Sequence, residues 1–225
     1  MRLKEYADSE MMMMSLASTL SGELMNILLT QDRASLAVPG GTTPGPIFDS
    51  LSASRLDWSR VDILPTDERW VPETDERSNA RLIRQRLLTD KAASANFISL
   101  YNGDEDPARG AAAVVERVEM LHPISVILLG MGEDMHTASL FPGATNLASA
   151  LDEDAPAVIA MRGGDTPEAR VTLSAGTINS AMSKHLVIVG DAKRAALERA
   201  QKLDDPLQAP VVAILQDLNV HWAES

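Results

Sequence analysis

The sequence predicts an α/β fold, a Rossmann-like, mainly parallel sheet with helices on both faces, built as one domain over residues 1–225. Three observations lead there. Short apolar, β-prone runs recur at 35–38, 61–64, 96–100, 124–129, 157–160, 185–189 and 211–215, and helix-like stretches lie between most of them. Two of the runs break directly into glycine-rich segments. A buried strand that opens into a glycine loop is where α/β proteins hold their ligands.

The stretch 9–29 carries apolar residues at helical spacing and opens on four consecutive methionines, Met11–Met14. At 3.6 residues per turn these cannot all face a core, so some are expected at the surface or against another element. The strand 35–38 runs into Pro39-Gly40-Gly41-Thr42-Thr43-Pro44-Gly45-Pro46, after which Ile47, Phe48 and Leu51 resume helical spacing. After the strand 61–64 comes Pro65-Thr66-Asp67-Glu68-Arg69-Trp70-Val71-Pro72. Ser78 reads as the N-cap of a helix to about residue 88, and 106–120 is an alanine- and valine-rich helix with charges on one side. The strand 124–129 opens into 130–143, Gly-Met-Gly-Glu-Asp-Met-His-Thr-Ala-Ser-Leu-Phe-Pro-Gly. Arg170–Ser174 is read as the opening of a further helical stretch, Asp191 as the cap of a helix 192–203, and 211–215 as the last strand.

Composition excludes several functions. The chain has 225 residues and no cysteine, so disulfides, thiolate nucleophiles and thiolate metal sites are out, and any nucleophile is oxygen or nitrogen. A net charge of −12 opposes binding to nucleic acid or anionic membranes. Neither a signal-peptide pattern nor an apolar run of about 20 residues occurs, so a cytoplasmic location is expected. The protein is expected to act as a monomer or homodimer.

Against that acidity, cations beside glycine loops stand out. Adjacent Gly40 and Gly41 let backbone N–H groups converge on an anion, Thr42 adds a hydroxyl, and the next helix presents its positive end. The same loop also reads as a tight turn with a threonine cap, and it matches neither the P-loop nor G-x-G-x-x-G. Arg69 can fork onto a carboxylate, phosphate or carbonyl oxygen while Asp67 or Glu68 holds it in place, unless the charge run is a solvated turn. Asp134 and His136, two apart, can point the same way. The carboxylate then accepts from one imidazole nitrogen and leaves the other free as a base. Lys193, in the first turn of its helix, works against the macrodipole unless an anion compensates. His122, His185 and His221 are scattered, and no metal or cofactor is expected.

Taken in order, GGTTP, TDERWVP with SN behind it, GMGEDMHTASLFPG, RVTLS and GDAKR strongly resemble the 6-phosphogluconolactonase family over about residues 35–193. The resemblance implies a fold shared with glucosamine-6-phosphate deaminases and ribose-5-phosphate isomerases. It also implies hydrolysis of the sugar-phosphate lactone 6-phospho-D-glucono-1,5-lactone, the second step of the oxidative pentose phosphate pathway. By position it makes Gly40, Gly41 and Thr42 the phosphate loop, Arg170 and Lys193 basic residues at the substrate, Asp67 and Arg69 members of the DER motif, and His136 the catalytic histidine. Met135 stands where that family usually has glycine, so the loop is expected to manage without an easily reached positive φ. Phosphosugar deaminases continue after the histidine toward asparagine-glutamate-proline, where this chain has Ser139-Leu140-Phe141-Pro142. A sugar-phosphate sensor would keep the phosphate loop but has no need of a positioned base.

Overall fold

Parallel pairing governs the architecture of the computed structural model, which describes residues 1–163 and 166–225. In chain order the elements are β1 (Arg2–Glu5), α1 (Ser9–Leu28), β2 (Ala34–Val38), α2 (Gly45–Ser52), β3 (Val61–Pro65), β4 (Asp67–Arg69), α3 (Asn79–Arg86), β5 (Asn96–Phe97) and α4 (Pro107–Glu119). They continue with β6 (Val126–Gly130), α5 (Leu147–Leu151), β7 (Val158–Gly163), β8 (Thr166–Leu173), α6 (Ala175–Asn179), β9 (Ser183–Val189), α7 (Asp191–Leu203) and β10 (Leu218–Ala223). Seven strands form a wholly parallel sheet in the order β1-β10-β9-β6-β2-β3-β5. A smaller antiparallel sheet, β4-β8-β7, stands beyond the end of β3.

Period-two side-chain alternation divides the core between the two faces of the large sheet. Leu36, Val38, Val126 and Leu128 pack with α1, α2 and α3, whereas Ala37, Ile127, Leu129, Leu186 and Ile188 pack with α4, α6 and α7. Helix α1 begins where Asp8 accepts the Met11 N–H at 2.7 Å, and it buries Met12, Met13, Leu16, Leu20 and Leu24. That seam leaves Met11 and Met14 exposed, as the helical period requires. Ser78 caps α3 by accepting the Arg81 N–H, and Pro107 occupies the first turn of α4 behind the Asp106 cap. No helix among the described residues is long and apolar enough to cross a membrane.

Several expectations need correction. Residues 211–215 lie mostly in a 3-10 turn, Pro210–Ile214, because proline opens a turn readily and a short apolar run does not distinguish strand from buried turn. The last strand is β10, where the polar Asn219 and His221 alternate with apolar residues and hide its buried pattern. Arg170–Leu173 is strand, and the following helix starts only after Ser174, whose Oγ accepts the Thr177 N–H. The run 96–100 pairs with β3 over two residues only, 157–160 belongs to the antiparallel sheet, and Asp191 is the first helical residue of α7 behind Gly190 at φ 91°.

Between α1 and the β1 edge lies a buried polar chain. The Tyr6 hydroxyl meets His221 Nδ1 at 2.8 Å, His221 Nε2 meets His185 Nδ1 at 3.0 Å, and His185 Nε2 reaches Glu23 Oε2 at 2.9 Å and Ser183 Oγ at 3.0 Å. Burial, then repulsion by His185 and Lys4, pushes His221 down from its ordinary 6.5 to about 4, with Glu23 opposing. The unfolded chain therefore binds more protons between those two values, so stability is full above about pH 6.5 and is lost as the pH falls toward 4. Glu23 adds to the loss at lower pH. Its burial favours the neutral acid, but its bonds and attraction to His185 hold it below the usual carboxylate value. Denaturant midpoints should fall between pH 6.5 and 4, and His221→Gln should flatten that slope. A pH-independent midpoint in the wild type over this range would contradict the assignment.

Candidate active site

The chain runs β2, β3, β5 toward one edge of the sheet and β6, β9, β10 toward the other, so the connections leaving β2 and β6 part company. A crevice at such a reversal, outside the carboxyl ends of the strands, is the usual ligand site of an open α/β sheet. Here it holds a cavity of about 280 Å³ lined by Gly40, Gly41 and Thr42 after β2, His136 after β6, and Lys193 in the first turn after β9. Asp67, Arg69 and Arg170 close it from the small sheet. Asp134 is bonded to His136. All nine residues singled out in the sequence therefore meet at one place.

The histidine loop is closed by its own backbone, with Gly132 N–H donating to the His136 carbonyl at 3.1 Å and Met135 N–H to the Gly132 carbonyl at 3.0 Å. Asp134 Oδ1 accepts both the His136 backbone N–H at 3.2 Å and its Nδ1 at 2.5 Å. That bond fixes the tautomer with the proton on Nδ1 and turns the Nε2 lone pair to other partners. Burial alone would raise the Asp134 carboxyl, but its bonds and attraction to His136 bring it below the ordinary value. Phe141 backs the imidazole at a ring separation of 4.3 Å.

Met135 does adopt a positive φ, 69°, contrary to the expectation for a residue other than glycine. Its side chain is buried in the core and its carbonyl accepts the Val211 N–H at 3.1 Å. Burying a methionine contributes about 1.5–3 kcal/mol, which offsets a left-handed backbone costing about 1–2 kcal/mol. Gly132 has a different constraint: a Cβ there would lie 2.3 Å from His136 Nδ1 and 2.4 Å from Asp134 Oδ1.

The DER segment differs from the reading in which a carboxylate grips Arg69. Glu68 is buried and accepts the backbone N–H groups of Arg69, Asn79 and Ala80 and the Ser78 hydroxyl, so it ties the start of α3 to β4. Its burial raises the carboxyl, Asp67 adds to that, and the backbone donors oppose it. Asp67 accepts the Ser139 hydroxyl at 2.5 Å and the Asn79 amide at 3.3 Å, with Arg170 Nη1 at 3.8 Å. Arg69 Nη1 instead donates to the Arg77 carbonyl at 2.5 Å.

Arg69 and Arg170 face each other in the β4–β8 register. Each has a buried Nε with no hydrogen-bond partner, and burial, then the charge of Arg69, holds the Arg170 guanidinium below its usual value. Two crowded guanidiniums concentrate positive charge on this wall of the cavity.

The glycine loop uses its freedom twice. Gly41 sits at φ 85°, and a Cβ on Gly40 would lie 1.8 Å from Asn79 Oδ1. No threonine caps α2, whose N-cap position is Pro44 without a side-chain bond, so Thr42 and Thr43 are left to the cavity. Among the described residues no cluster of three His, Cys, Asp or Glu side chains could hold a metal ion. Sequence reasoning missed Ser139 and Phe141 as supports. It placed Glu68 beside Arg69, although a glutamate eleven residues before Asn79 has no local signal as a helix cap.

A parallel sheet carrying its two glycine-rich loops at the reversal point is the frame of a Rossmann-like α/β enzyme. Residues 7–222 match the family described as glucosamine-6-phosphate isomerases/6-phosphogluconolactonase. A 6-phosphogluconolactonase of Rhizobium meliloti is 40% identical over 215 residues, covering 93% of each chain. One of Pseudomonas aeruginosa is 39% identical over 217 residues, covering 92% of this chain and 88% of that one. The crystal structure of a 6-phosphogluconolactonase from Shewanella baltica superposes with a TM-score of 0.95 at 33% identity, covering 99% of this chain and 97% of the other. The chain belongs to this glucosamine-6-phosphate isomerase/6-phosphogluconolactonase family.

Two substitutions probe the histidine loop. Gly132→Ala should displace the imidazole from Asp134, seen by NMR as loss of the far-downfield Nδ1 proton while the fold is retained; an unchanged resonance would show that the loop has room. Met135→Gly relieves the backbone but empties a core position, so chemical denaturation should show a net loss of about 1–2 kcal/mol.

Proposed function

We propose that this protein hydrolyses 6-phospho-D-glucono-1,5-lactone to 6-phospho-D-gluconate in the oxidative pentose phosphate pathway of the cytoplasm, with His136 as general base. The observation that carries the reading is a carboxylate-held imidazole sharing one cavity with the arginine pair and the glycine loop. Membership of a family whose relatives bear the 6-phosphogluconolactonase name supports the reaction. The fit of one domain to one substrate cleft supports reading 1–225 as a single functional unit.

A δ-lactone is an activated ester, so water made nucleophilic by one base suffices. His136 Nε2 takes a proton from water as its oxygen attacks C1, and Asp134 stabilises the imidazolium that forms. The C1 carbonyl becomes a tetrahedral oxyanion, and Arg69 with backbone N–H groups near Thr137 holds that charge. Collapse breaks the bond from C1 to the ring oxygen, which receives the proton from the imidazolium. The phosphate is held by Gly40, Gly41, Thr42 and Lys193; that binding energy orients C1, and the bound phosphate offsets the unfavourable place of the Lys193 cation at a helix N-terminus. Because Arg170 is the cross-strand neighbour of Arg69 and its guanidinium lies 5.2 Å over Phe141, we assign it to the C1 end. Asp67, with its carboxylate engaged by Ser139 and Asn79, acts by fixing this wall.

The test generates the lactone from glucose 6-phosphate with its dehydrogenase and follows lactone loss above the spontaneous rate. His136→Ala should lower kcat about 100-fold or more with KM little changed. Lys193→Ala should raise KM roughly tenfold, the worth of a charge-assisted hydrogen bond. Equal turnover by His136→Ala after subtraction would remove the histidine from the mechanism. Ammonia from glucosamine 6-phosphate, without lactone hydrolysis, would replace this reading with the deaminase of the same family.

A further inference from the structure

Neither Arg69 nor Arg170 donates a side-chain hydrogen bond to a carboxylate of the DER segment, Asp67 coming no nearer than 3.8 Å to Arg170 Nη1. Each is held instead through a residue outside the cavity, and the two holds converge. Arg69 Nη1 donates to the backbone carbonyl of Arg77. Arg170 Nη2 donates to Glu168 Oε1 at 2.8 Å, and the other oxygen of that carboxylate, Oε2, receives Arg77 Nη1 at 3.0 Å. Arg77 itself is braced by Asp75, which accepts its backbone N–H at 2.9 Å, its Nε at 3.0 Å and its Nη2 at 2.8 Å.

We propose that Arg77 and Glu168 form a bracket that positions the cavity's two arginines, Arg77 through its backbone for Arg69 and through Glu168 for Arg170. This rests on the lactonase reading above. The physical need is plain: the two guanidiniums face one another across the β4–β8 register and repel, so without a restraint they would splay or turn toward solvent. A single carboxylate shared between Arg77 and Arg170 anchors one of them and fixes the turn whose carbonyl anchors the other. The bracket takes one outer nitrogen of each arginine, Arg69 Nη1 and Arg170 Nη2, and so fixes how the rest of each guanidinium is presented to the cavity both of them line.

A merely structural role predicts something different. The Arg77 side chain is 53% exposed and that of Glu168 26%, and ion pairs at such positions contribute little to stability. The bracket should therefore act on geometry at the reacting carbon and leave the fold's stability alone.

The experiment compares Arg77→Ala, Glu168→Gln and the double variant in the lactone assay, with thermal unfolding alongside. Each single change should lower kcat about tenfold or more with KM within about threefold, as expected for misplaced transition-state groups. The double variant should be no worse than the poorer single one, because both cut the same link. Unfolding midpoints should agree with the wild type within about 2 °C. Effects under twofold, strict additivity, or losses that follow the unfolding midpoint would overturn the bracket while leaving the lactonase reading intact. Failure of the wild type itself to accelerate lactone loss sinks that reading instead. The bracket is then decided by the arginine Nε–H resonances, assigned with Arg69→Lys and Arg170→Lys. Glu168→Gln should shift both of them, and signals that stay in place would overturn it.

Discussion

The reversal of strand order between β2 and β6 is the constraint on which the rest of this structure depends. Strands on either side of that boundary are built outward in opposite directions, so the peptide leaving each turns away from its neighbour and the sheet's upper edge is left uncovered there. Residues far apart in sequence, Gly40–Thr42 and His136, become neighbours only because β2 and β6 pair. The small antiparallel sheet supplies the remaining wall: β4 continues from β3 after Thr66, whose N–H donates to the Val38 carbonyl and whose carbonyl accepts the Leu173 N–H. Arg69 and Arg170 are thus placed over the crevice by backbone pairing, before any side-chain contact is made.

Within that frame, carboxylates act as fasteners. Asp134 orients the imidazole, Glu68 ties α3 to β4, Asp67 joins the histidine loop to the DER strand through Ser139, and Glu168 links two arginines. A chain of net charge −12 thereby keeps a cavity lined by Arg69, Arg170 and Lys193. Negative charge over the remaining surface repels polyanions such as nucleic acid at long range, whereas a small phosphorylated ligand inside the cleft meets the local cations first.

Much of this was legible in the sequence, and the failures have physical causes. Runs buried on both faces, such as 124–129, announce themselves by continuous apolarity, and glycine at their ends announces the loops. Edge strands carry no such signal: β1 is exposed at all four residues, and β10 mixes His221 and Trp222 into its pattern. The residues that meet at the cleft were readable because their types are unusual where they stand, a histidine after glycines or a lysine at a helix start. Their connections were not. Which carbonyl Arg69 finds depends on the turn at 75–78, and Arg170 falls opposite Arg69 only through strand register, which a chain misread as helical at 170–174 does not reveal.

Locally unfavourable features collect in this one cleft. Met135 and Ala138 hold left-handed backbones without being glycine, Arg69 and Arg170 bury unpaired donors beside each other, and Lys193 stands at the wrong end of a helix dipole. Each costs on the order of 1 kcal/mol or more, and the two well-packed cores on either face of the sheet supply the stability to keep them. In the proposed reaction a phosphorylated lactone offsets the crowded charge: the phosphate neutralises Lys193 and the helix end, and the growing oxyanion eases the mutual repulsion of the two arginines. The repulsion between the arginines is relieved most when the negative charge at C1 is greatest. That difference between bound substrate and transition state is what lowers the barrier, so the strain carried by the empty cleft is part of how it would act.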